Sequence, residues 1–398
     1  MYCIRKVNDD YTWVGADCRR LALFEGVFGV PDGVSFNSYL LMDDKTVLFD
    51  TVDSAVRTTF RENVAHVLNG KAPDYLVVHH MEPDHAAEMA DLARQYPDMG
   101  ILCSAAAKNM IAQFFDAELA GRVTVVKEGD TLCTGRHTLR FIAAPMVHWP
   151  EVLMTYDETD KLLLSADAFG SFGALNGTLF ADEVDFDREV LDEARRYYTN
   201  IVGKYGPQVQ ALLKKAAALD IKTICPLHGP VLTGDLGKYL NYYDLWSSYK
   251  AEEPEKILVA SASIHGHTRA AAHTMAEKLR AKGAKVVEMD LTRTDVSYAV
   301  TEAFRCGRIV LACATYDGFL FPPMENLLTH LKTKNFQGRT VGLMENGTWA
   351  PMAAKLMRAE LDGMKNITVC DTVVTLRSAS NAAAEAQMDA MVDELLSK

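Results

Sequence analysis

Apolar residues along this chain fall into two successive rhythms. Up to about residue 250, short β-like runs dominate, at 38–42, 46–50, 75–80 and 161–167, with helical spacing at 86–96 and 189–205. Apolar runs of this length bounded by turn residues predict strands, and the i, i+3, i+4 spacing predicts helices, so a mixed sheet covered by helices is expected. Beyond residue 255 the two patterns alternate strictly. Strands are predicted at 257–260, 285–290, 308–312, 340–344 and 368–374, with helices at 268–282, 298–306, 324–332, 350–361 and 382–396. Five strands separated by helices specify a doubly wound parallel sheet, which binds ligands beyond the carboxyl ends of its strands. Between the two patterns lies an acidic, Pro-containing stretch at 251–255, so the expected organisation is one domain over 1–250, a linker over 251–255 and a second domain over 256–398.

Length and composition add exclusions. At 398 residues and 49% hydrophobic, the chain can bury a large core. No apolar run approaches the ~18 residues of a spanning helix, and the first ten residues lack the apolar segment of a signal peptide, so a cytoplasmic protein is expected. The net charge of −12 argues against nucleic acid and anionic membranes as partners. That acidity is local. Residues 256–398 hold 17 Lys and Arg against 15 Asp and Glu, whereas the first 255 hold 24 against 38. Eight cysteines at 3, 18, 103, 133, 225, 306, 313 and 370 include no pair at CxxC spacing, which excludes a zinc ribbon, a rubredoxin module and a thioredoxin-type site. Reduced, mostly buried thiols are expected.

Candidate chemistry begins just after the apolar run ending at Val78. His80, Glu82, Asp84 and His85 put two imidazoles and two carboxylates within six residues at a strand mouth. Such a loop on its own is as often merely hydrated. His148, Asp167 and His228 change that reading, because each stands at a strand end or in a turn framed by Pro or Gly, where loops converge over a sheet. Four imidazoles and three carboxylates without a thiolate favour iron or manganese over structural zinc. His79 falls on the opposite pleat and reads as packing or support for a ligand.

In the second half, residues 261–269 run from a strand into a helix with hydroxyls and a Gly, the set Ser263, Ile264, His265, Gly266, His267 and Thr268. Backbone and side-chain donors at a helix start can cradle a terminal phosphate, although Thr268 is equally readable as a plain helix cap. Two further loops carry an aromatic among polar neighbours: Thr315, Tyr316, Asp317 and Gly318 after the third strand, and Glu345, Asn346, Gly347, Thr348, Trp349 and Ala350 after the fourth. They suit a planar ring. No GxGxxG follows the first strand, which argues against NAD(P) as a tightly bound cofactor.

The pattern His80-x-Glu82-x-Asp84-His85, with His148 before Trp149, Asp167 after Ala166, and His228 before Gly229, resembles the metallo-β-lactamase motifs in the form carried by flavodiiron proteins. The resemblance spans the chain. It implies an α/β protein, with an αββα sandwich of metallo-β-lactamase type followed by a flavodoxin-like five-stranded sheet, two irons and FMN. By position, it gives one iron His80, Glu82 and His148, and the other Asp84, His85 and His228, with Asp167 bridging and the ring of His85 able to turn away. The three loops of the second half resemble the FMN loops of flavodoxins, departing from them at Ala262, His265 and Ala314.

The activity implied is reduction of dioxygen to water, of nitric oxide to nitrous oxide, or both. Electrons would come from a separate rubredoxin or a reduced deazaflavin. A head-to-tail homodimer or dimer of dimers is also implied. Tyr198 is the candidate for a hydrogen bond or proton near the irons, with Glu25 a further one. Two other classes stay open on the residues alone: a metal-dependent hydrolase, which leaves the flavin-type half unexplained, and a simple electron carrier, which leaves seven convergent donors unexplained.

Overall fold

The computed structural model describes residues 2–398 and divides the chain into two compact units, 1–198 with 207–244, and 199–206 with 245–398. In the first unit a seven-stranded sheet runs in the order Arg5–Lys6, Tyr11–Trp13, Tyr39–Leu41, Val47–Phe49, Tyr75–Val77, Gly100–Cys103, Val123–Val125. A five-stranded sheet runs Thr131–Cys133, Thr138–Ala143, Leu153–Asp157, Leu162–Leu164, Thr223–Cys225. Alternation along the strands packs the two sheets together. Tyr39, Leu41, Val47, Phe49 and Val77 from one sheet share a core with Leu139, Phe141, Leu153, Leu162 and Leu164 from the other.

The intervening residues Leu40, Leu48, Leu76 and Ile101 are also fully buried, which requires a covering layer on the outer face. Helix Arg57–Leu68 turns Phe60, Val64 and Leu68 inward at i, i+4 and i+8. Where both sheets carry parallel pairs, their carboxyl ends line up. Val47–Phe49 pairs in parallel with Tyr75–Val77, and Leu162–Leu164 with Thr223–Cys225. The residues that follow these strands, Asp50, His79 to His85, Asp167 and His228, therefore emerge together.

The second unit holds a parallel sheet in the order Lys285–Asp290, Glu253–Ala262, Cys306–Tyr316, Thr340–Asn346, Thr368–Leu376, with the short Phe319–Leu320 folded back antiparallel on Cys306–Tyr316. Residues Leu258, Ala260, Ile309 and Leu311 face a core made with helices Val296–Arg305, Pro322–Thr333 and Ala353–Asp362. Their neighbours Ile257, Val259, Val310 and Ala312 face helices His267–Ala281 and Ala382–Ser397. This is the doubly wound arrangement, with its switch point between the first and third strands.

Two local details differ from the pattern reading. The first strand of the second unit begins at Glu253, inside the stretch expected as linker: Glu253 pairs with Cys306, and the register shifts before Ile257, across the Pro254 that has no N–H to donate. The helix expected over 189–205 is instead a helix Leu191–Tyr197, a wider π-type turn Tyr198–Val202 and a tight turn Gly203–Tyr205.

Candidate metal centre and flavin-type loops

Strand ends place the donors, and short helices aim them. His80 leaves the strand Tyr75–Val77. Asp84 and His85 sit in the single-turn helix Pro83–Ala86, which starts on a Pro at its first position. His148 lies in the turn before Leu153–Asp157, Asp167 follows Leu162–Leu164, and His228 follows Thr223–Cys225.

The donor atoms form two adjoining groups, His80, Glu82, His148 and Asp167, and Asp84, His85 and His228. In the first, the Nε2 atoms of His80 and His148 each lie 3.2 Å from Glu82 Oε2, and 3.4 and 3.0 Å from Asp167 Oδ2. In the second, the Nε2 atoms of His85 and His228 are 3.0 Å apart and each 3.3 Å from Asp84 Oδ2. Asp167 Oδ1 is 3.1 Å from His85 and 3.8 Å from His228, so one carboxylate presents one oxygen to each group.

Donors bound at about 2.0–2.2 Å to one ion stand about 3.0–3.5 Å apart, which matches these distances within each group. Both oxygens of Asp84 and Oδ1 of Asp167 are buried without a hydrogen bond, and such atoms are costly unless a cation satisfies them. The residues fit a pair of ions held by nitrogen and oxygen alone.

Contacts behind the donors fix two of the four ligand rings. His80 Nδ1 hydrogen-bonds Glu151 Oε1 at 2.7 Å, and that same oxygen accepts the Met81 N–H at 2.9 Å. His228 Nδ1 donates to the Ser35 carbonyl at 2.7 Å. His79 is tied to Asp50 at 2.5 Å and to Thr155 at 2.7 Å, which makes it a support for the loop, with its ring stacked on Phe49. His85 differs, because its Nδ1 is buried and unpartnered. Nothing pins that ring from behind.

Burial alone would drive the imidazoles toward neutrality, but the surrounding carboxylates outweigh it. They hold His80 well above its ordinary pKa, His85 above it, and His148 up to about 9. Burial likewise opposes the ionised form of Asp167, yet the rings of His85, His80 and His148 hold its pKa well below the usual range. The cluster is built around positive charge.

The candidate Tyr198 caps the helix Leu191–Tyr197, whose last residue reaches the cluster. Tyr198 meets Tyr243 edge-on, while the preceding Tyr197 puts its ring 5.4 Å from that of His228 and buries its hydroxyl without a partner. Desolvation, with Asp167, Asp84 and Glu82 nearby, pushes the Tyr197 pKa well up. Phe24 and Phe36 close on the other sides of His228, and Trp149 stands edge-on to His80. Glu25 is at the turn of the hairpin Leu23–Phe24 and Phe28–Gly29, next to Phe24, with positive φ.

In the second unit, three loops lie at the carboxyl ends of neighbouring strands. In the first, Ser263 Oγ accepts the Gly266 N–H at 3.0 Å, and Gly266, at φ +95°, delivers the chain into helix His267–Ala281 with Thr268 buried in its first turn. Asp317 and Gly318, both at positive φ, turn the chain between Tyr316 and Phe319. Ile264, Tyr316, Phe319 and Trp349 are all exposed, large apolar surfaces grouped on loops of one sheet edge.

Glu345 faces the other way, contrary to its place among the ring-binding candidates. Its carboxylate accepts the Ala354 N–H at 3.0 Å and the Thr375 hydroxyl at 3.0 Å, so it fastens a helix start to the neighbouring strand. Asn346 exchanges hydrogen bonds with the backbone of Ser378, and Thr348 meets the Ser378 hydroxyl at 2.9 Å. Thr315 Oγ1 accepts the Met352 N–H, and Gly347 leaves room for Pro351, whose backbone a Cβ would meet at 2.7 Å. Among the described residues, the His265 side chain makes no hydrogen bond to these loops, and Ala350 has no polar side-chain group to offer.

A family described as ODP family beta lactamase matches residues 34–229. A nitric oxide reductase of Moorella thermoacetica is 30% identical over 365 residues, covering 90% of this chain and 90% of the relative. Rubredoxin oxygen:oxidoreductase from Desulfovibrio gigas superposes with a TM-score of 0.93 at 27% identity, over 99% of this chain and 98% of that one. The flavodiiron protein from Giardia intestinalis does so with 0.93 at 26%, over 98% and 95%. This chain belongs to the flavodiiron protein family.

As a flavodiiron protein, the chain has its metallo-β-lactamase-like and flavodoxin-like parts in the expected order. Glu151, Ser35, Tyr197, Phe319 and Ser378 were not picked out by the sequence reading. For Glu151 a signal existed, since it stands three residues after His148 in an otherwise apolar turn. For Ser35 there was none, because it acts through its carbonyl. No helix among the described residues is long and apolar enough to cross a membrane.

Proposed function

We propose that this flavodiiron protein is an FMN- and diiron-dependent oxidoreductase that reduces dioxygen to water, nitric oxide to nitrous oxide, or both. The observation that carries the reading is the double cluster, with Asp167 set between its halves and three buried carboxylate oxygens lacking a hydrogen bond. One iron would be held by His80, Glu82 and His148, the other by Asp84, His85 and His228, with Asp167 shared. When bound, the two ferrous ions and the reduced flavin together supply up to four electrons to a diatomic substrate.

The chain's own groups do the rest. Phe24, Phe36 and Trp149 wall the cluster with apolar surface, which keeps bulk water from competing for the open positions. Tyr197 keeps its proton through neutral pH and so remains a hydrogen-bond donor beside the cluster. The loop 263–268 would hold the FMN phosphate at a helix start, and Tyr316 and Trp349 would cover the ring. Asn346 and Thr348 act as positioning residues, since their polar atoms hold the loop at Ser378.

Electrons would arrive from rubredoxin or a reduced deazaflavin. The near-neutral second half repels an acidic carrier less than the first. The family supports a head-to-tail homodimer or dimer of dimers in the cytoplasm. Anaerobic purification tests the reading: about two irons and one FMN per chain, with turnover of dioxygen or nitric oxide on a reduced donor, is expected. Zinc without flavin would replace it with a hydrolase, and flavin without metal with an electron carrier.

A further inference from the structure

At the amino-terminal ends of the second unit's strands, away from the flavin-type loops, a cavity of 690 Å³ is lined by Tyr249, Lys250, Pro254, Arg308, Gln337 and Arg339, among others. Its charges do not balance. Arg339 is 4% exposed, and its guanidinium donates only to carbonyls: Cys306 at 2.7 Å, Tyr249 and Gln337 at 2.9 Å each, Gly338 at 3.2 Å and Phe304 at 2.5 Å. Among the described residues it has no carboxylate partner. Burial consequently lowers its pKa to about 10.

Two of those carbonyls close the helix Val296–Arg305, whose dipole offsets about half a charge, so the cavity wall stays positive. Lys250 lines the same cavity, is exposed and likewise has no acidic partner. Arg308 is held at 3.1 Å by Glu255, the acidic side chain lining the cavity, and Glu255 is 85% exposed and free to swing away. Lys398, at the rim, is already paired with Glu394 at 2.7 Å.

We infer that this cavity binds a small phosphate-bearing anion of nucleotide size. The volume falls in the range of about 300–1,000 Å³ typical of small-molecule sites. Two cations without acidic partners and a third with a mobile one match two or more negative charges, and the guanidinium fork of Arg308 suits phosphate geometry. The ring of Tyr249 offers an apolar wall, because its hydroxyl is already engaged with Lys204 and Asn335. The site is separate from the flavin-type loops, since it opens at the opposite ends of the same strands.

The test is calorimetric titration of the FMN- and iron-loaded protein with ATP and with inorganic pyrophosphate at fixed ionic strength, in the wild type, Lys250→Glu and Arg308→Gln. Saturable ATP binding is expected, weakened about ten-fold or more by either substitution, the loss that follows from removing one charge-assisted contact. FMN content and the visible spectrum should stay unchanged in both variants. Pyrophosphate matching ATP would assign recognition to the phosphates, and tighter ATP would add the Tyr249 wall. An absence of saturable heat in the wild type, or identical titrations in all three proteins, which would place the anion on the flavin loop or the irons, overturns the inference.

Discussion

In the first unit the seven donor side chains converge with the rings of His80 and His228 braced from behind, whereas in the second unit the loops at the strand ends leave Tyr316 44%, Phe319 69% and Trp349 86% exposed. The former carries the cost of gathering carboxylates and imidazoles within the fold itself. The latter leaves apolar surface uncovered until something planar lies against it. A preformed cluster should respond to mutation with loss of metal and turnover, while a cover completed by its ligand should respond with loss of affinity and little else.

Asp167→Ala should break the first region most. With the shared carboxylate gone, turnover of dioxygen or nitric oxide should fall more than about a hundred-fold, as expected for a ligand removed from a buried site. Iron per chain, measured by elemental analysis, should drop while FMN stays stoichiometric. Retention of two irons would mean that Asp167 does not join the two halves. Glu151→Ala should come next. It removes the brace behind His80, and losses of about 10–100-fold in metal affinity are typical of such contacts. The matching variant at a ring without such a brace, His85→Asn, should cost less iron than Glu151→Ala. The reverse order would show that the Glu151 brace behind His80 is not what holds the metal.

The strand-end positions of these residues were readable because parallel strands deliver their carboxyl ends to one edge, and apolar runs such as 75–78 and 161–164 mark where each strand stops. The orientation of Tyr197 and Tyr198 was not. A helix period continued through 189–205 misses the wider turn Tyr198–Val202, and composition does not separate two adjacent tyrosines, of which Tyr197 meets His228. Glu345 shows a second limit. Composition marks it as a polar loop residue after a strand, but the demand of helix Ala353–Asp362 for a partner at its first N–H groups draws the carboxylate inward. Glu253 shows a third: an acidic, Pro-containing stretch reads as linker, yet a strand end tolerates Pro at a register shift.

Trp349→Ala tests the second region. Removing an exposed ring that has no partner until a flavin arrives should weaken FMN binding by about ten-fold, the scale of an aromatic stacking contact, with iron content and folding unchanged. Flavin fluorescence during dilution would measure it. In the same protein without FMN, wild type and Trp349→Ala should melt together, and a difference between them would show that the ring already packs in the ligand-free fold.

The smallest effect is expected at a third cluster, which has the composition of a metal site and the interactions of a salt-bridge network. Asp10, His137 and Asp160 come together as the iron-type residues do, but Arg136 lies among them, paired with Asp10 and 3.0 Å from Asp160. His137 sits between Asp157 at 2.6 Å and Asp10 at 3.0 Å, and Asp157 also accepts the Tyr11 hydroxyl at 3.2 Å. Here the cations are side chains, so no ion is needed. Burial works against the charged form of His137, yet its hydrogen bonds to Asp10 and Asp157 outweigh that and raise its pKa above the ordinary value.

A raised histidine stabilises the fold fully below the unfolded pKa, about 6.5, and that contribution disappears as pH climbs through the folded value. Wild type should therefore lose a few degrees of Tm between pH 6 and pH 9 that His137→Gln, already lower at pH 6, does not lose. Parallel melting curves for the two proteins would mean that this cluster is not charged in the fold, and the contrast between a site that asks for metal and one that supplies its own cation would fail with it.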